Sequence, residues 1–237
     1  MITSLDNKKV KEWTKLHQKK YRNDTYLLLE EETVKAAYEK GYLKTLVYVG
    51  DKPFDFPESY DVTEEVMNKI SMSDGLYYIG VATKIKMSDD YKERVLILDE
   101  LQDPLNIGRI IKNASQFGYD SVILSENAAD FYNEKAIEAA GDALYKVNIN
   151  RTDIKEEILK LKSQGFKVYS TGLWKNTRDL REIKESPKMA FVMGNEGSGV
   201  REEIYQVSDD TVKIDMHNID SLNVAMAAAI VMYRFSK

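Results

Sequence analysis

Apolar positions along the chain alternate between two spacings. Short apolar runs at 26–29, 46–49 and 76–82 have the length and make-up of strands, and apolar residues at helical intervals lie between them at 33–40 and 63–70. Gly41 follows the first of these helices, where glycine favours a helix end. A mostly polar and charged stretch, 84–94, interrupts the pattern before it restarts. Strands are then expected at 95–98, 121–124, 145–149, 167–170, 189–193 and 211–214. Helices are expected at 107–117, around 134–140, at 154–162 and at 222–235. Strands separated by helices imply an α/β protein with a mainly parallel sheet. The pattern divides into a small α/β domain over 1–86 and a larger one over 94–237, with no internal repeat.

Composition narrows the class. At 237 residues and 43% hydrophobic, the chain can bury a substantial core. It contains no apolar run of the ~20 residues that span a bilayer. Its first residues carry no apolar signal core, so the cytoplasm is the expected location. The absence of cysteine excludes disulfides, thiolate metal sites and a cysteine nucleophile. His17 and His217 stand in no metal-ligand spacing, so no metal is expected. The net charge is −5, but Lys8, Lys9, Lys11, Lys15, Lys19, Lys20 and Arg22 face only Asp6 and Glu12 within 1–22. That local basic patch can hold phosphates on an acidic protein, or can be the solvated face of a helix.

Three segments can carry chemistry. Over 103–117, Ile107, Ile110, Ile111, Ala114 and Phe117 form an apolar stripe opposite Arg109, Lys112 and Gln116. Asn106 is read as the N-cap just before that helix. This is either a capped helix with solvated charges or a phosphate or ribose site at a helix N-terminus. The second segment, Met193-Gly194-Asn195-Glu196-Gly197-Ser198-Gly199, follows an apolar run. Its glycines suit a sharp turn or a close approach to a ligand, but match neither the dinucleotide fingerprint nor the phosphate loop. Glu196 sits next to anything bound there, whereas Ser198 lacks the setting of a hydrolase nucleophile. The third, Ser221-Leu222-Asn223-Val224, opens an alanine-rich helix that Ser221 is placed to cap.

In order and spacing, Asp103-Pro104-Leu105-Asn106-Ile107-Gly108, the 193–199 segment and Ser221-Leu222-Asn223-Val224 resemble the three motifs of the SpoU/TrmH family. These are S-adenosylmethionine-dependent RNA ribose 2′-O-methyltransferases of the SPOUT class. The resemblance covers 95–237, and the basic opening is similar to the family's ribosomal-protein-like substrate-binding domain. It implies a C-terminal SPOUT domain with a deep trefoil knot, a rare exception to unknotted folding. It also implies S-adenosylmethionine held by Thr171, Gly172 and Leu173, by Gly194, Asn195, Glu196 and Gly199, and by Ile214, Met216 and Leu222. By the same resemblance Asn106 places the substrate, Glu196, Ser221 and Asn223 line the pocket, and the protein is a homodimer with shared sites. Because an accessory N-terminal domain is present, ribosomal RNA is expected ahead of transfer RNA.

The chain departs from the family pattern at identifiable points. Lys112 occupies the usual position of an arginine, Asp215 that of a proline, and Glu30-Glu31 that of a Glu-Gly pair. Lys112 then serves as base or phosphate anchor, or Arg109, one turn earlier, takes the guanidinium role. A catalytically silent member that binds RNA and cofactor is the alternative.

Overall fold

A computed structural model describes residues 1–174, 176–216 and 222–236. Its first unit comprises Met1–Lys86 together with Asp130–Tyr145, and its second comprises Met87–Ala129 with the chain from Lys146 onward. Residues 130–145, which belong by sequence order to the C-terminal part, therefore pack within the first unit.

The first unit contains α1 (Lys8–Lys15), β1 (Thr25–Leu28), α2 (Glu31–Glu39), β2 (Leu43–Tyr48), β3 (Ser59–Asp61), α3 (Glu64–Ser71) and β4 (Tyr78–Thr83). Its sheet runs β1-β4-β2-β3, antiparallel except for the β2–β3 pair. Val10, Trp13 and Leu16 of the first helical segment and Val66, Met67 and Ile70 of α3 pack on Leu27, Val47, Ile79 and Val81 of one sheet face. Such alternation is what the two-residue period of a strand dictates. The inserted segment is tied in by two polar contacts. The buried Arg22 guanidinium donates to Asp130 at 2.9 and 3.0 Å and to the carbonyls of Leu16 and His17, and the His17 ring pairs with Glu134.

The second unit begins with β5 (Arg94–Leu98), α4 (Pro104–Gln116) and β6 (Ser121–Ser125). After α5 (Glu134–Ala140), which packs in the first unit, follow β7 (Asn148–Thr152), α6 (Ile154–Ser163), β8 (Lys167–Thr171) and β9 (Arg178–Asp179). The chain continues through β10 (Met189–Met193), α7 (Glu202–Val207), β11 (Asp210–Lys213) and α8 (Val224–Arg234). Seven strands pair in the order β7-β6-β5-β10-β8-β11-β9, and every pairing is parallel. Helices cover both faces, so β5, β6 and β10 are buried along their full length and read as continuous apolar runs. Ile154, Ile158 and Leu161 of α6 and Ile204 of α7 pack on one face with Val95, Ile97, Val168 and Val192. On α4, Ile107, Ile110, Ile111 and Ala114 are buried, as are Ala228, Val231 and Met232 of its neighbour α8.

Local chemistry moves several expected boundaries. Asn106 is not the N-cap of α4. Asp103 is, its carboxylate accepting from Leu105 N at 3.0 Å, and Pro104 fills the first helical position, which needs no N–H donor. Asn106 thus lies inside the first turn and is buried. Asn223 caps α8, its Oδ1 accepting from Ala225 N and Met226 N, while Ser221 lies outside the described residues. The strand expected at 145–149 begins only at Asn148, because Gly141–Tyr145 forms a 3-10 turn. The pattern gave no sign of β3, β9 or α7, which are short and partly polar.

Candidate active site

The strand order reverses its direction of growth beside β5 and β10, and the carboxyl ends of such strands are where open parallel sheets form a crevice. A cavity of about 370 Å³ lies there. Thr171 at the end of β8 with Gly172 and Leu173 after it, Gly194, Asn195, Glu196 and Gly199 after β10, and Ile214, Met216 and Leu222 beyond β11 all line it. Leu180, Val212 and Val231 add apolar surface.

The glycine loop has a fixed shape. Asn195 and Gly199 exchange backbone hydrogen bonds of 3.0 and 2.9 Å, closing a tight turn that Gly199 completes at φ +72°. The Asn195 side chain is spent on that turn. Its Oδ1 accepts from Gly197 N and Ser198 N, and its Nδ2 donates to the Glu100 carbonyl at 2.8 Å. Gly194 has no space for a side chain, since a Cβ there would stand 2.2 Å from Gly199 C and Val200 N.

Glu196 leaves the loop toward α4. Its carboxylate accepts from Asn106 Nδ2 at 3.1 Å and from the amides of Gln102 and Asp103 at 3.3 and 3.4 Å. Those amides precede the start of α4, where backbone N–H groups and the helix dipole favour an anion. Burial works against the charged form. Hydrogen bonds from its own amide, from Asn106 and from those two amides outweigh it and hold the carboxyl below its ordinary pKa. Asn106 Oδ1 in turn accepts from Asn223 Nδ2 at 3.1 Å. The line Glu196–Asn106–Asn223 therefore joins all three segments singled out in the sequence.

Asn106 and Asn223 stand behind the cavity wall rather than in it, and Arg109 and Lys112 lie exposed on α4, also outside the lining. Neither cation makes an ion pair among the described residues. Sequence reasoning missed Asp99 and Arg201. Asp99, at the carboxyl end of β5, is 0% exposed and takes Arg201 Nε at 2.8 Å and the Arg201 amide at 2.9 Å. This pair pins the exit of the glycine loop to the sheet. A polar residue directly after the apolar run 95–98 was the available signal for Asp99. The described residues contain no cluster of three or more histidine or acidic side chains that could hold a metal, and no helix long and apolar enough to cross a membrane.

A doubly covered parallel sheet with a loop-built cavity at its carboxyl edge defines an α/β ligand-binding protein of the cofactor-dependent kind. Residues 93–233 match the model of the SpoU rRNA Methylase family. The chain is 32% identical to the 23S rRNA (guanosine(2553)-2′-O)-methyltransferase RlmP of Bacillus subtilis, across 98% of this chain and 97% of that protein. The AdoMet-bound rRNA methyltransferase of Sinorhizobium meliloti superimposes with a TM-score of 0.90 at 27% identity, covering 98% and 95% of the two chains. The SpoU methyltransferase AviRb of Streptomyces viridochromogenes, in complex with AdoMet, shares the fold at a TM-score of 0.84 and 20% identity over 96% of both chains. The chain belongs to the SpoU rRNA methylase family.

Proposed function

We propose that this protein transfers a methyl group from S-adenosylmethionine to a ribose 2′-hydroxyl of RNA, with ribosomal RNA as acceptor. The observation that carries this reading is the convergence of three loops on one cavity at the sheet edge, with Glu196 bridging from that cavity to the start of α4. The residues fit the cofactor. The folded glycine loop, closed over Gly194 where no Cβ can stand, forms a close-lying backbone wall, and Leu180, Val212 and Leu222 offer apolar surface for a purine ring. When bound, S-adenosylmethionine supplies a methyl group on a cationic sulfonium, so an attacking hydroxyl displaces a neutral thioether and sheds its proton.

The chain's own residues orient and hold. Glu196, ionised at neutral pH, places a negative charge at the cavity wall. Asn106 uses one donor and one acceptor on its two neighbours, which fixes the side-chain amide and so the loop that carries Glu196. Arg109 and Lys112, a turn apart on the exposed side of α4, are phosphate anchors for the acceptor strand. Met226, Ile230 and Tyr233 form an exposed apolar stripe at helical spacing on α8, which supports a homodimer through that face. The insertion of β10 between β5 and β8, with α8 returning to α4, supports a trefoil knot in the C-terminal part of the chain. An accessory unit over 1–86 that engages RNA, and a cytoplasmic location, complete the reading.

Calorimetric titration with S-adenosylmethionine followed by labelled methyl transfer to total RNA tests it. Binding and a 2′-O-methylated nucleoside in ribosomal RNA are expected, and the absence of cofactor binding overturns the proposal. Replacing Arg109 and Lys112 singly by alanine lowers transfer. Full activity in both variants removes their assigned role.

A further inference from the structure

The first unit carries a groove of about 480 Å³ that the active site does not use. Lys9, Lys15, Lys44 and Tyr21 line it, together with the hydroxyls of Thr25 and Thr45 and the carboxylates of Glu12 and Glu58. We propose that this groove binds an unpaired RNA nucleotide, with its base on the Tyr21 ring and its flanking phosphates on Lys15 and Lys44. The inference rests on the reading that RNA is the substrate.

The aromatic surface is presented rather than incidental. Tyr21 is 40% exposed at the end of a 3-10 turn, Lys19–Tyr21. The next residue, Arg22, is locked by its pair with Asp130 and by the carbonyls of Leu16 and His17. The turn is therefore set before any ligand arrives. The ammonium groups of Lys20 and Lys15 lie over the ring, 4.9 and 5.5 Å from its centroid, so a partly exposed aromatic side chain and two displaceable cations share one spot. A base stacks on such a face without regard to sequence while the cations meet the backbone, the pattern of single-strand binding sites.

Three lysines, Lys9, Lys15 and Lys44, against two carboxylates, Glu12 and Glu58, leave the groove lining with an excess of positive charge. Lys9 is engaged by Glu58 and lies over the Tyr60 ring, and Glu12 has Lys8 within 3.9 Å. Among the described residues Lys15 and Lys44 have no carboxylate within ion-pair distance, although Lys44 acts on Glu58 at longer range, and the hydroxyls of Thr25 and Thr45 make no hydrogen bond. Two cations without a close carboxylate and two hydroxyls are thus available to a phosphate. By contrast, the entry to α2 presents Glu30, Glu31 and Glu32 to solvent and repels phosphate. In the first unit the nucleic-acid face is therefore the α1–β2 side.

The test is fluorescence anisotropy of the full chain with a labelled uridine hexamer, run across a salt series, with a labelled RNA duplex in parallel. The expected result is tighter binding of the single strand. Tyr21→Ala weakens it by about tenfold and leaves the salt slope unchanged, whereas Tyr21→Trp restores it. Lys15→Ala with Lys44→Ala weakens it further and lowers the salt slope by about 1.4, near 0.7 per phosphate contact on a single strand. Circular dichroism and the thermal unfolding midpoint, measured on the same variants, stay at the wild-type values and report that they fold, and S-adenosylmethionine affinity is unchanged. Wild-type hexamer affinity in all these variants, or equal affinity for duplex and hexamer with no effect of Tyr21→Ala, overturns the groove. Failure of the wild-type chain to bind the cofactor overturns the methyl-transfer reading and leaves the hexamer result to stand by itself.

Discussion

Asn106 donates from Nδ2 to a carboxylate oxygen of Glu196 at 3.1 Å across 90 residues of sequence, so the first helix of the parallel unit and the glycine loop are set by one side-chain amide. The same amide accepts from Asn223, which caps the last helix. Asn106→Ala removes both bonds and leaves Glu196 held by main-chain amides alone. Methyl transfer is expected to fall by about 100-fold, the scale set by an ångström of misplacement, with little change in cofactor affinity. Asn106→Asp is the sharper variant, because it sets a second carboxylate against Glu196. Single-turnover transfer assays beside cofactor titration check both, and unchanged single-turnover rates would sink the positioning role.

Arg201 neutralises a carboxylate that has no access to water. Asp99 is fully buried, and Arg201→Ala strands its charge with only a backbone amide as partner. Removing one partner of a buried pair costs about 3–5 kcal/mol. Urea unfolding is expected to show a loss near the lower end of that range, since the amide bond remains. Arg201→Lys recovers part of it, because an ammonium cannot reproduce the guanidinium fork. An unfolding midpoint like that of the wild type for Arg201→Ala would refute the role assigned to this pair.

The central strands β5, β6 and β10 were readable because they are buried on both faces, and continuous apolar runs such as Met189–Met193 follow from that burial, whereas the two-residue, partly exposed β9 at the sheet edge was not. The α4 stripe was readable for the corresponding helical reason. The start of α4 was misplaced although Asp103-Pro104 carries the signal, an acidic N-cap followed by a proline at the first helical position. What no local pattern could reveal is pairing at a distance. Asp99 and Arg201 lie 102 residues apart, and Arg22 meets Asp130 across 108. For the same reason the membership of 130–145 in the first unit was invisible. Those residues are amphipathic on their own, and only the tertiary structure states which core they serve.

His17 supplies a pH dependence with a definite sign. Its ring pairs with the Glu134 carboxylate at Nδ1 and lies 2.6 Å from the Ile70 carbonyl at Nε2. A carboxylate and a carbonyl only accept, so the doubly protonated ring, with a donor on each nitrogen, is the form that these two partners favour. The Glu134 hydrogen bond is the chief cause that raises the pKa above 6.5, burial opposes it, and the Ile70 carbonyl adds to it. A raised folded-state pKa gives stability that is complete below the unfolded value of 6.5 and is lost as pH rises through the folded value. As pH rises from about 6 the unfolding midpoint of the wild type should fall, whereas His17→Gln should be lower at the acid end and flatter. Parallel profiles for the two proteins would count against the pair.

Gly194→Ala tests whether the loop must fold back on itself. The added Cβ would stand 2.2 Å from two backbone atoms, which cannot yield by changing rotamer. Overpacking of this kind costs about 1–3 kcal/mol, and the strain falls on the wall of the cavity. Cofactor affinity is expected to drop by about tenfold or more, with the helix and strand content seen by circular dichroism unchanged. Gly197→Ala is the control, since its nearest neighbour would be 3.6 Å away. Equal loss in both variants would mean that crowding at Gly194 is not the cause.

The proposed homodimer is tested at the outer face of α8. Met226 and Tyr233 are 60% and 73% exposed, and with Ile230 they place an apolar stripe on a helix whose other side is already packed on α4. A stripe of this kind left in water is a candidate interface core, and a two-fold pair of such stripes satisfies itself. Met226→Lys combined with Tyr233→Ser sets a charge at its start and removes the ring at its end. Sedimentation equilibrium of the wild type is expected to give a dimer at micromolar concentration, and the double variant a monomer with the same circular dichroism. Because Phe117 contacts Tyr233 edge-on at 6.0 Å, a modest loss of thermal stability, about 1 kcal/mol, should accompany the change. A monomeric wild type, or a dimer that survives the double substitution, would place the interface elsewhere or remove it.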